Sequence, residues 1–353
     1  VSRYSASHEH VRALLAEWGE PPYRAGQVWD ALYRQRRPLE AVTNLSRALR
    51  LRLADALPLA LVEQTTVTSP DEMTAKWLFT CARDGTQVET VLMRYPTRAT
   101  VCVSSQAGCA MGCTFCATGQ AGFDRHLDTG EIVEQVLRAA MASPPRLSNV
   151  VFMGMGEPLA NYEPVWESVE RLHGDLGLSA RHVTISTVGI APAIRRLARE
   201  QLPVTLAVSL HAPDDALRDE LVPVNRRYPL DDVLDAAREF AAARGRRVTF
   251  EYACIGGVND APAQADALAR RLHAFGGRGG AHVNLIPLNP TAGFAGSAPS
   301  RPRIQAFAAR LRAHGVNATV RRNRGTGIDA ACGQLRSRAS VPLTPPRSAT
   351  MEG

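Results

Sequence analysis

The stretch Ala99-Thr100-Val101-Cys102-Val103-Ser104-Ser105-Gln106-Ala107-Gly108-Cys109-Ala110-Met111-Gly112-Cys113-Thr114-Phe115-Cys116 decides how the rest of the chain is read. Its first part, Ala99–Ser104, is β-branched and apolar and reads as a strand. The second part brings Cys109, Cys113 and Cys116 together in C-x3-C-x2-C spacing, on a loop loosened by Gly108 and Gly112. Thiolates spaced this closely can wrap one face of a metal centre. A structural zinc site takes four protein ligands, and a fully protein-held iron–sulfur cluster takes four cysteines. No fourth Cys or His stands alongside. Three ligands on a cubane cluster leave one iron open to a small molecule, which is a catalytic arrangement. Two other readings stay open on these residues: a zinc site completed by the distant Cys254, Cys332 or His126, or three buried cysteines that bind nothing.

Downstream, strand, loop and helix alternate. Apolar runs at Ala99–Ser104, Asn149–Met153, His182–Thr187, Val204–Leu210, Arg247–Ala253, His282–Ile286 and Asn317–Arg321 predict strands. Amphipathic stretches at 129–142, 163–173, 191–199, 214–220, 231–244, 261–274 and 301–313 predict helices. Apolar strands alternating with helices predict an α/β fold, an incomplete (β/α)6 barrel with a parallel sheet. In such sheets ligands sit at the C-terminal ends of the strands, so the residues there become candidates. They are Gly156 and Glu157 in Met153-Gly154-Met155-Gly156-Glu157-Pro158; Ser186 beside Thr187; Ser209, Leu210 and His211 in Ser209-Leu210-His211-Ala212-Pro213; and Asn289 in Ile286-Pro287-Leu288-Asn289-Pro290. Taken singly, each has an ordinary reading as a tight turn, a strand-end cap or a core histidine. All of them follow strands that end on the same face as the cysteine loop, and that coincidence singles them out.

Upstream, Leu14-Leu15, Trp18, Val28-Trp29, Leu32-Tyr33, Leu45, Leu49, Leu53 and Leu57 recur at helical spacing, punctuated by Pro21-Pro22 and Pro38. The charges there are mostly arginine (Arg24, Arg34, Arg36, Arg37, Arg47, Arg50, Arg52), which predicts a small helical domain over 1–60 with a basic face. Val62–Thr68, Ala75–Thr80 and Gln87–Arg94 predict a short antiparallel β extension over 61–94. The barrel is expected over 95–336. The Pro/Ser-rich remainder, 337–353, reads as disordered. The chain has 353 residues, 41 Lys+Arg against 34 Asp+Glu and a net charge of +7; its 45% hydrophobic and 21% charged residues exclude global disorder. No apolar run approaches the ~18–20 residues of a membrane span, and Val1-Ser2-Arg3-Tyr4 opens no signal peptide. Cytoplasmic location is expected, where a tight cysteine group binds metal or does chemistry rather than forming a disulfide scaffold. The positive charge suits a polyanionic partner, although a GC-rich genome also raises arginine content.

The cysteine spacing resembles that of radical S-adenosylmethionine (SAM) enzymes. The resemblance implies that Cys109, Cys113 and Cys116 hold a [4Fe–4S] cluster whose open iron chelates the amino and carboxylate groups of SAM. Gly156-Glu157-Pro158 is similar to the motif that holds the SAM amino group in that superfamily. Further stretches narrow the likeness: Tyr23-Arg24-Ala25-Gly26-Gln27-Val28-Trp29, Glu89 in Val88-Glu89-Thr90-Val91, Cys102 seven residues before the first cluster cysteine, Ser209-Leu210-His211-Ala212-Pro213, and Asp329-Ala330-Ala331-Cys332-Gly333-Gln334-Leu335. Over about residues 10–336 these resemble the RlmN family of dual-specificity RNA methyltransferases. The sister Cfr family shares the cysteine plan and acts at C8 of the same adenine; the stretches around Cys332 and Trp29 look more like RlmN. The resemblance implies methylation of C2 of adenine 2503 in 23S rRNA and of C2 of adenine 37 in certain tRNAs, with two SAM molecules per turnover. One SAM methylates Cys332. The other yields a 5′-deoxyadenosyl radical that takes a hydrogen from that methyl, and the methylene radical adds to adenine. Glu89 is similar to the proton acceptor of the family. Cys102 forms a transient disulfide with Cys332 that releases the product. Gly156, Glu157, Ser186, Ser209, Leu210, His211 and Asn289 are the implied SAM contacts. An electron donor such as flavodoxin or ferredoxin, no membrane and a monomeric state complete the expectation. Cys81 and Cys254 are left over and expected in the core. Arg226-Arg227, Arg244–Arg247 and Arg321-Arg322-Asn323-Arg324 are candidate phosphate contacts. A reading of another class is a non-catalytic RNA-binding protein with a zinc site.

Overall fold

The structure, a computed structural model, describes residues 1–143, 146–276 and 280–335; the tail expected at 337–353 lies outside the described residues. Helices α1 (His8–Glu17), α2 (Tyr23–Tyr33) and α3 (Arg47–Ala56) come first, followed by strands β1 (Leu61–Thr68), β2 (Thr74–Cys81) and β3 (Gln87–Arg94). Next are β4 (Ala99–Cys102), a small hairpin of β5 (Gln106–Gly108) and β6 (Phe123–His126) with α4 (Ala117–Ala121) between its arms, and α5 (Thr129–Met141). The alternation then runs β7 (Leu147–Phe152), α6 (Tyr162–Gly174), β8 (Val183–Thr187), α7 (Ala191–Leu197), β9 (Thr205–Ser209), α8 (Asp215–Leu221), α9 (Leu230–Arg244), β10 (Val248–Cys254), α10 (Pro262–Leu272), β11 (Ala281–Pro287), α11 (Arg301–Ala313) and β12 (Asn317–Val320).

Strands β4, β7, β8, β9, β10, β11 and β12 lie side by side in chain order, each parallel to the next. This is the incomplete parallel α/β barrel that the alternation predicts. The antiparallel strands do not form a separate sheet. β3 pairs with β4, with Val91 opposite Cys102, so β1–β2–β3 continue the same sheet beyond the barrel's first strand. Because β3 runs against β4, its beginning, including Glu89, lies at the end of β4 where the cysteine loop departs.

The main core lies between the sheet and its helices, with Phe79, Val150, Leu206, Phe250 and Leu285 inaccessible to water or nearly so. Helix α5 serves two cores. Ile132 and Val136 pack on the sheet, while Val133 and Leu137 join the cluster formed by Val11, Leu15, Val28, Leu32 and Leu53 of the first three helices. Its start is fixed by a capping box, in which Asp128 accepts from the Glu131 N–H (2.9 Å) and the Glu131 carboxylate accepts from the Asp128 N–H (2.9 Å). Arg171 of α6 ties the N-terminal segment to the barrel by donating to the carbonyls of Tyr4 (2.6 Å) and Ala6 (2.9 Å). Among the described residues no helix is long and apolar enough to cross a membrane.

Candidate active site

Two cavities meet at the C-terminal ends of the parallel strands. The first is lined by the three cysteines of the loop, Gly156, Glu157, Ser186, Ser209, His211 and Asn289, and by Cys332. The second is lined by Val91, Tyr95, Cys102 and the C-terminal segment, Cys332 included. Cys332, Met153, Ile286 and Arg321 stand on the wall common to both.

The cysteine loop is folded by backbone contacts. Gly108 has φ +75°, and a Cβ there would lie 2.2 Å from the Gly122 carbonyl oxygen. The close approach lets the Cys109 N–H donate to that oxygen at 2.6 Å. Further on, the Thr114 N–H donates to the Leu221 carbonyl (3.1 Å), and the Ala117 N–H donates to the Gly333 carbonyl (2.7 Å). The loop is thus braced between α8 and the segment bearing Cys332.

Burial pushes the thiol of Cys109 up to about 12 and that of Cys113 well above its ordinary range. The three are free thiols facing one cavity, and among the described residues no three His, Cys, Asp or Glu side chains converge as one ion would require. Three cysteines on one cavity are one protein ligand short of a structural zinc site and match a cubane cluster with one open iron. Two of the distant residues that could complete a zinc site are engaged elsewhere. Cys254 is inaccessible in the main core with its Sγ against the Tyr252 carbonyl, and Nδ1 of His126 bonds Gln106 on the β5–β6 hairpin. Cys81 is likewise in the main core.

Glu157 is buried and its carboxylate accepts from the N–H groups of Leu159 (3.0 Å) and Val188 (2.8 Å). Burial outweighs these bonds and raises its pKa to about 7. Such a carboxylate gains strongly from a cationic ligand, which would hold it ionised. Gly156 before it has φ +97°, and a Cβ there would lie 2.5 Å from Cβ of Gln106. Gly156→Ala is therefore expected to destabilise the protein by about 1–3 kcal/mol, read as a lower urea midpoint. An unchanged midpoint would show that the turn relaxes at no cost.

His211 adopts left-handed backbone, φ 61°, uncommon for a residue with a side chain. Its Nδ1 accepts from the Ala253 N–H (3.0 Å), and its ring meets Phe115 edge-on, centroids 4.9 Å apart. Burial lowers its pKa to about 3, so the ring is neutral and its Nε2–H is left as the donor. Leu210 differs from its neighbours. Its side chain belongs to the main core, and its backbone N–H donates to the Glu251 carbonyl (2.9 Å). Asn289 is engaged with the C-terminal segment: its Nδ2 donates to the Cys332 carbonyl (3.0 Å), and its Oδ1 accepts from Asn323 (2.6 Å).

Cys102 ends β4, and burial pushes its thiol up to about 12; the neighbouring Cys332 raises it further and Arg321 opposes the rise. Glu89 lines neither cavity. It is buried two residues along β3 from Val91, in an ion pair with Lys76 Nζ at 2.8 Å. Lys76 also donates to the Asp329 carbonyl (3.1 Å), latching the Cys332 segment to β2.

The sequence reading missed Lys76, Glu251 and Arg218. Glu251 lines the first cavity and accepts from Asn284 (2.8 Å). A signal for two of them was present, a charged residue inside an otherwise apolar strand in Ala75-Lys76-Trp77 and Phe250-Glu251-Tyr252. Arg321 is one of the candidate phosphate contacts named above. Instead it turns into the cavities, where the charges of Cys332, Glu251 and Cys102 raise its pKa. Arg244 and Arg246 are also partly committed, donating to the carbonyls of Leu202 and Pro203.

Comparison with known proteins agrees with this geometry. Residues 103–268 match the radical SAM superfamily. The chain is 54% identical over 338 residues to "Probable dual-specificity RNA methyltransferase RlmN" of Salinispora tropica, covering 92% of this chain and 90% of that protein. It is 51% identical to the protein of the same description from Chloroflexus aurantiacus, covering 96% and 94%. The crystal structure of a radical SAM methyltransferase from Sphaerobacter thermophilus superposes with a TM-score of 0.91 at 48% identity, covering 96% of this chain and all of that one. With the cysteine loop, the strand-end residues and the Cys332 segment gathered in one mouth, the chain belongs to the RlmN family of radical SAM RNA methyltransferases.

Proposed function

We propose that this protein methylates C2 of adenine 2503 in 23S rRNA and C2 of adenine 37 in tRNAs, with Cys332 as the methyl carrier. The observation that carries the reading is the position of Cys332 on the wall between a cavity lined by three cluster-type cysteines and one lined by Cys102. C2 of adenine is an electron-poor sp2 carbon that a simple methyl electrophile does not alkylate. A bound [4Fe–4S] cluster with SAM would supply the radical that makes a carbon-centred attack feasible.

The chain's own residues then have these tasks. Cys109, Cys113 and Cys116 hold the cluster. Glu157 accepts from the SAM ammonium, and Gly156, Ser186, Ser209, the Leu210 backbone, His211 through Nε2–H, and Asn289 shape the pocket around the rest of it. Cys332 takes a methyl group on sulfur and presents it to the base. Glu89, held in an ion pair with Lys76, accepts the adenine proton. Cys102 releases the product.

RNA reaches the site with its target base out of the stack. Residues 1–60, with Arg34, Arg37 and Arg47 exposed, are proposed as an accessory RNA-gripping domain beside the 61–94 extension and the 95–336 barrel. The protein is read as a cytoplasmic monomer served by a flavodoxin or ferredoxin.

The test is mass spectrometry of nucleosides from 23S rRNA and tRNA incubated anaerobically with the protein, SAM and reductant. 2-Methyladenosine is expected. 8-Methyladenosine would move the assignment to the Cfr reaction, and no methylated adenosine would refute the reading. The same preparation is expected to be brown, with iron and sulfide near four per chain; stoichiometric zinc without iron would overturn the cluster assignment.

A further inference from the structure

We propose that Arg218 is the cation that balances the negative charge of the cysteine-held cluster and so makes its reduction easier. The inference rests on the reading that Cys109, Cys113 and Cys116 hold a [4Fe–4S] cluster. Arg218 lies on α8, in a sequence, Asp214-Asp215-Ala216-Leu217-Arg218-Asp219-Glu220, that looks like an exposed charged helix. In the fold it is the largest side chain with no access to water.

Its guanidinium is fully engaged by neutral groups. Nε donates to the Leu210 carbonyl (3.0 Å), Nη2 to the carbonyls of Ser209 (3.1 Å) and Val188, and Nη1 to Oδ1 of Asn225 (2.6 Å). Among the described residues no carboxylate lies within ion-pair reach. Asp215 and Asp219 are held one step away, both accepting from Nδ2 of Asn225.

Neutral carbonyls satisfy the N–H groups but do not cancel a buried charge, and an uncompensated buried ion is costly. The cysteine loop stands on the other side of the guanidinium. Cys113 packs with Leu217 and Leu221, which flank Arg218 on α8, and Val188 and Ser209, whose carbonyls hold the guanidinium, line the first cavity together with Cys113. An oxidised cubane core carries two positive charges. Three thiolates therefore leave it with one net negative charge, and one-electron reduction makes that two. A fixed cation in a dry site stabilises the reduced form more than the oxidised one.

The same contacts give Arg218 a second effect. They join the end of β9 to the loop after β8, and Val188, Ser209 and His211 of those segments line the first cavity. Charge and hydrogen bonding are separable by substitution. Arg218→Lys keeps the cation and loses most carbonyl contacts. Arg218→Gln keeps one or two contacts and loses the cation.

The test is a titration of the cluster-loaded protein with titanium(III) citrate, following the reduced cluster by electron paramagnetic resonance without SAM or RNA. For Arg218→Gln the reduced-to-oxidised ratio at a fixed potential is expected to fall by about tenfold or more against wild type. Arg218→Lys should stay near wild type. A wild-type ratio in Arg218→Gln overturns the proposal, as does an equal fall in both variants. If Arg218→Gln fails to load a cluster, iron and sulfide retained by Arg218→Lys supports the charge requirement, and loss from both overturns it. A wild-type protein that takes up no iron or sulfide would instead sink the cluster reading itself.

Discussion

Cys332→Ala is expected to abolish RNA methylation while leaving the fold and the cluster loop in place. The attachments of its segment do not involve the thiol. Asn289 holds the Cys332 carbonyl, the Ala117 N–H holds that of Gly333, Thr118 Oγ1 holds that of Leu335, and Lys76 holds that of Asp329. Removing one sulfur therefore leaves the polar anchors of the segment intact, and stability should change by less than ~1 kcal/mol at this partly exposed site. The chemical effect is of another order, because the proposed carrier of the transferred carbon is gone. No other cysteine is placed to substitute: Cys102 lines only the second cavity, and Cys81 and Cys254 are shut in the main core. Turnover should fall below detection, at least about 10³-fold or ~4 kcal/mol in barrier. The measurement is 2-methyladenosine per enzyme after anaerobic incubation, with iron content and the thermal midpoint as controls. Methylated RNA at a tenth of the wild-type yield would remove Cys332 from the mechanism.

The seven parallel strands were legible because their runs are mostly apolar and largely buried, as in Leu206-Ala207-Val208 of β9, and most of the helices between them have one wet face. What escaped is what local pattern does not encode. The β5–β6 hairpin has arms of three and four residues, pairing Gln106 with His126 and Gly108 with Phe123, and the close approach of Gly108 to Gly122 that closes it spans the cysteine loop. Strand-end motifs marked the mouth correctly but not which atoms face it. Ser209 and His211 line the cavity, whereas Leu210 between them packs into the core, as alternation about a strand end requires. Arg218 escaped for another reason. Four residues around it are acidic and suggest a solvated helix, yet the carbonyls that receive its guanidinium come from Val188, Ser209 and Leu210, which only the folded barrel brings near. Arg321 was misread by its company, since Arg322 beside it is exposed while Arg321 turns inward at the end of β12.

In Cys102→Ala the protein is expected to accumulate as a covalent adduct with RNA. In the proposed reaction the Cys332 methylene joins the base, and the chain is then tied to its product through a thioether, which does not hydrolyse. Release requires a thiolate to attack the Cys332 sulfur. A sulfur–sulfur bond forms, the sulfur–carbon bond breaks, its electron pair goes to the carbon left on the base, and a proton completes the methyl group. The disulfide then needs a thiol reductant before the next turnover. Cys102 is the thiol that shares a cavity with Cys332, both are free in the structure, and Arg321 lines that cavity beside them. Alanine at 102 removes the attacking group at the end of a buried strand, with a small cavity as the structural cost, about 1 kcal/mol. A denaturing gel of the variant with labelled RNA should show most of the protein shifted to the adduct, against a trace for wild type. The wild-type adduct has a pH dependence of defined sign. Burial holds the Cys102 thiol up to about 12, so the attacking thiolate is scarce near neutrality and grows about tenfold per pH unit below that value. The adduct's lifetime should therefore shorten as pH rises from 7 to 9, within the range where the protein stays folded. Free protein alone on the gel of the alanine variant would count against Cys102 as the releasing thiol. A wild-type lifetime indifferent to pH would show that thiolate attack does not limit release.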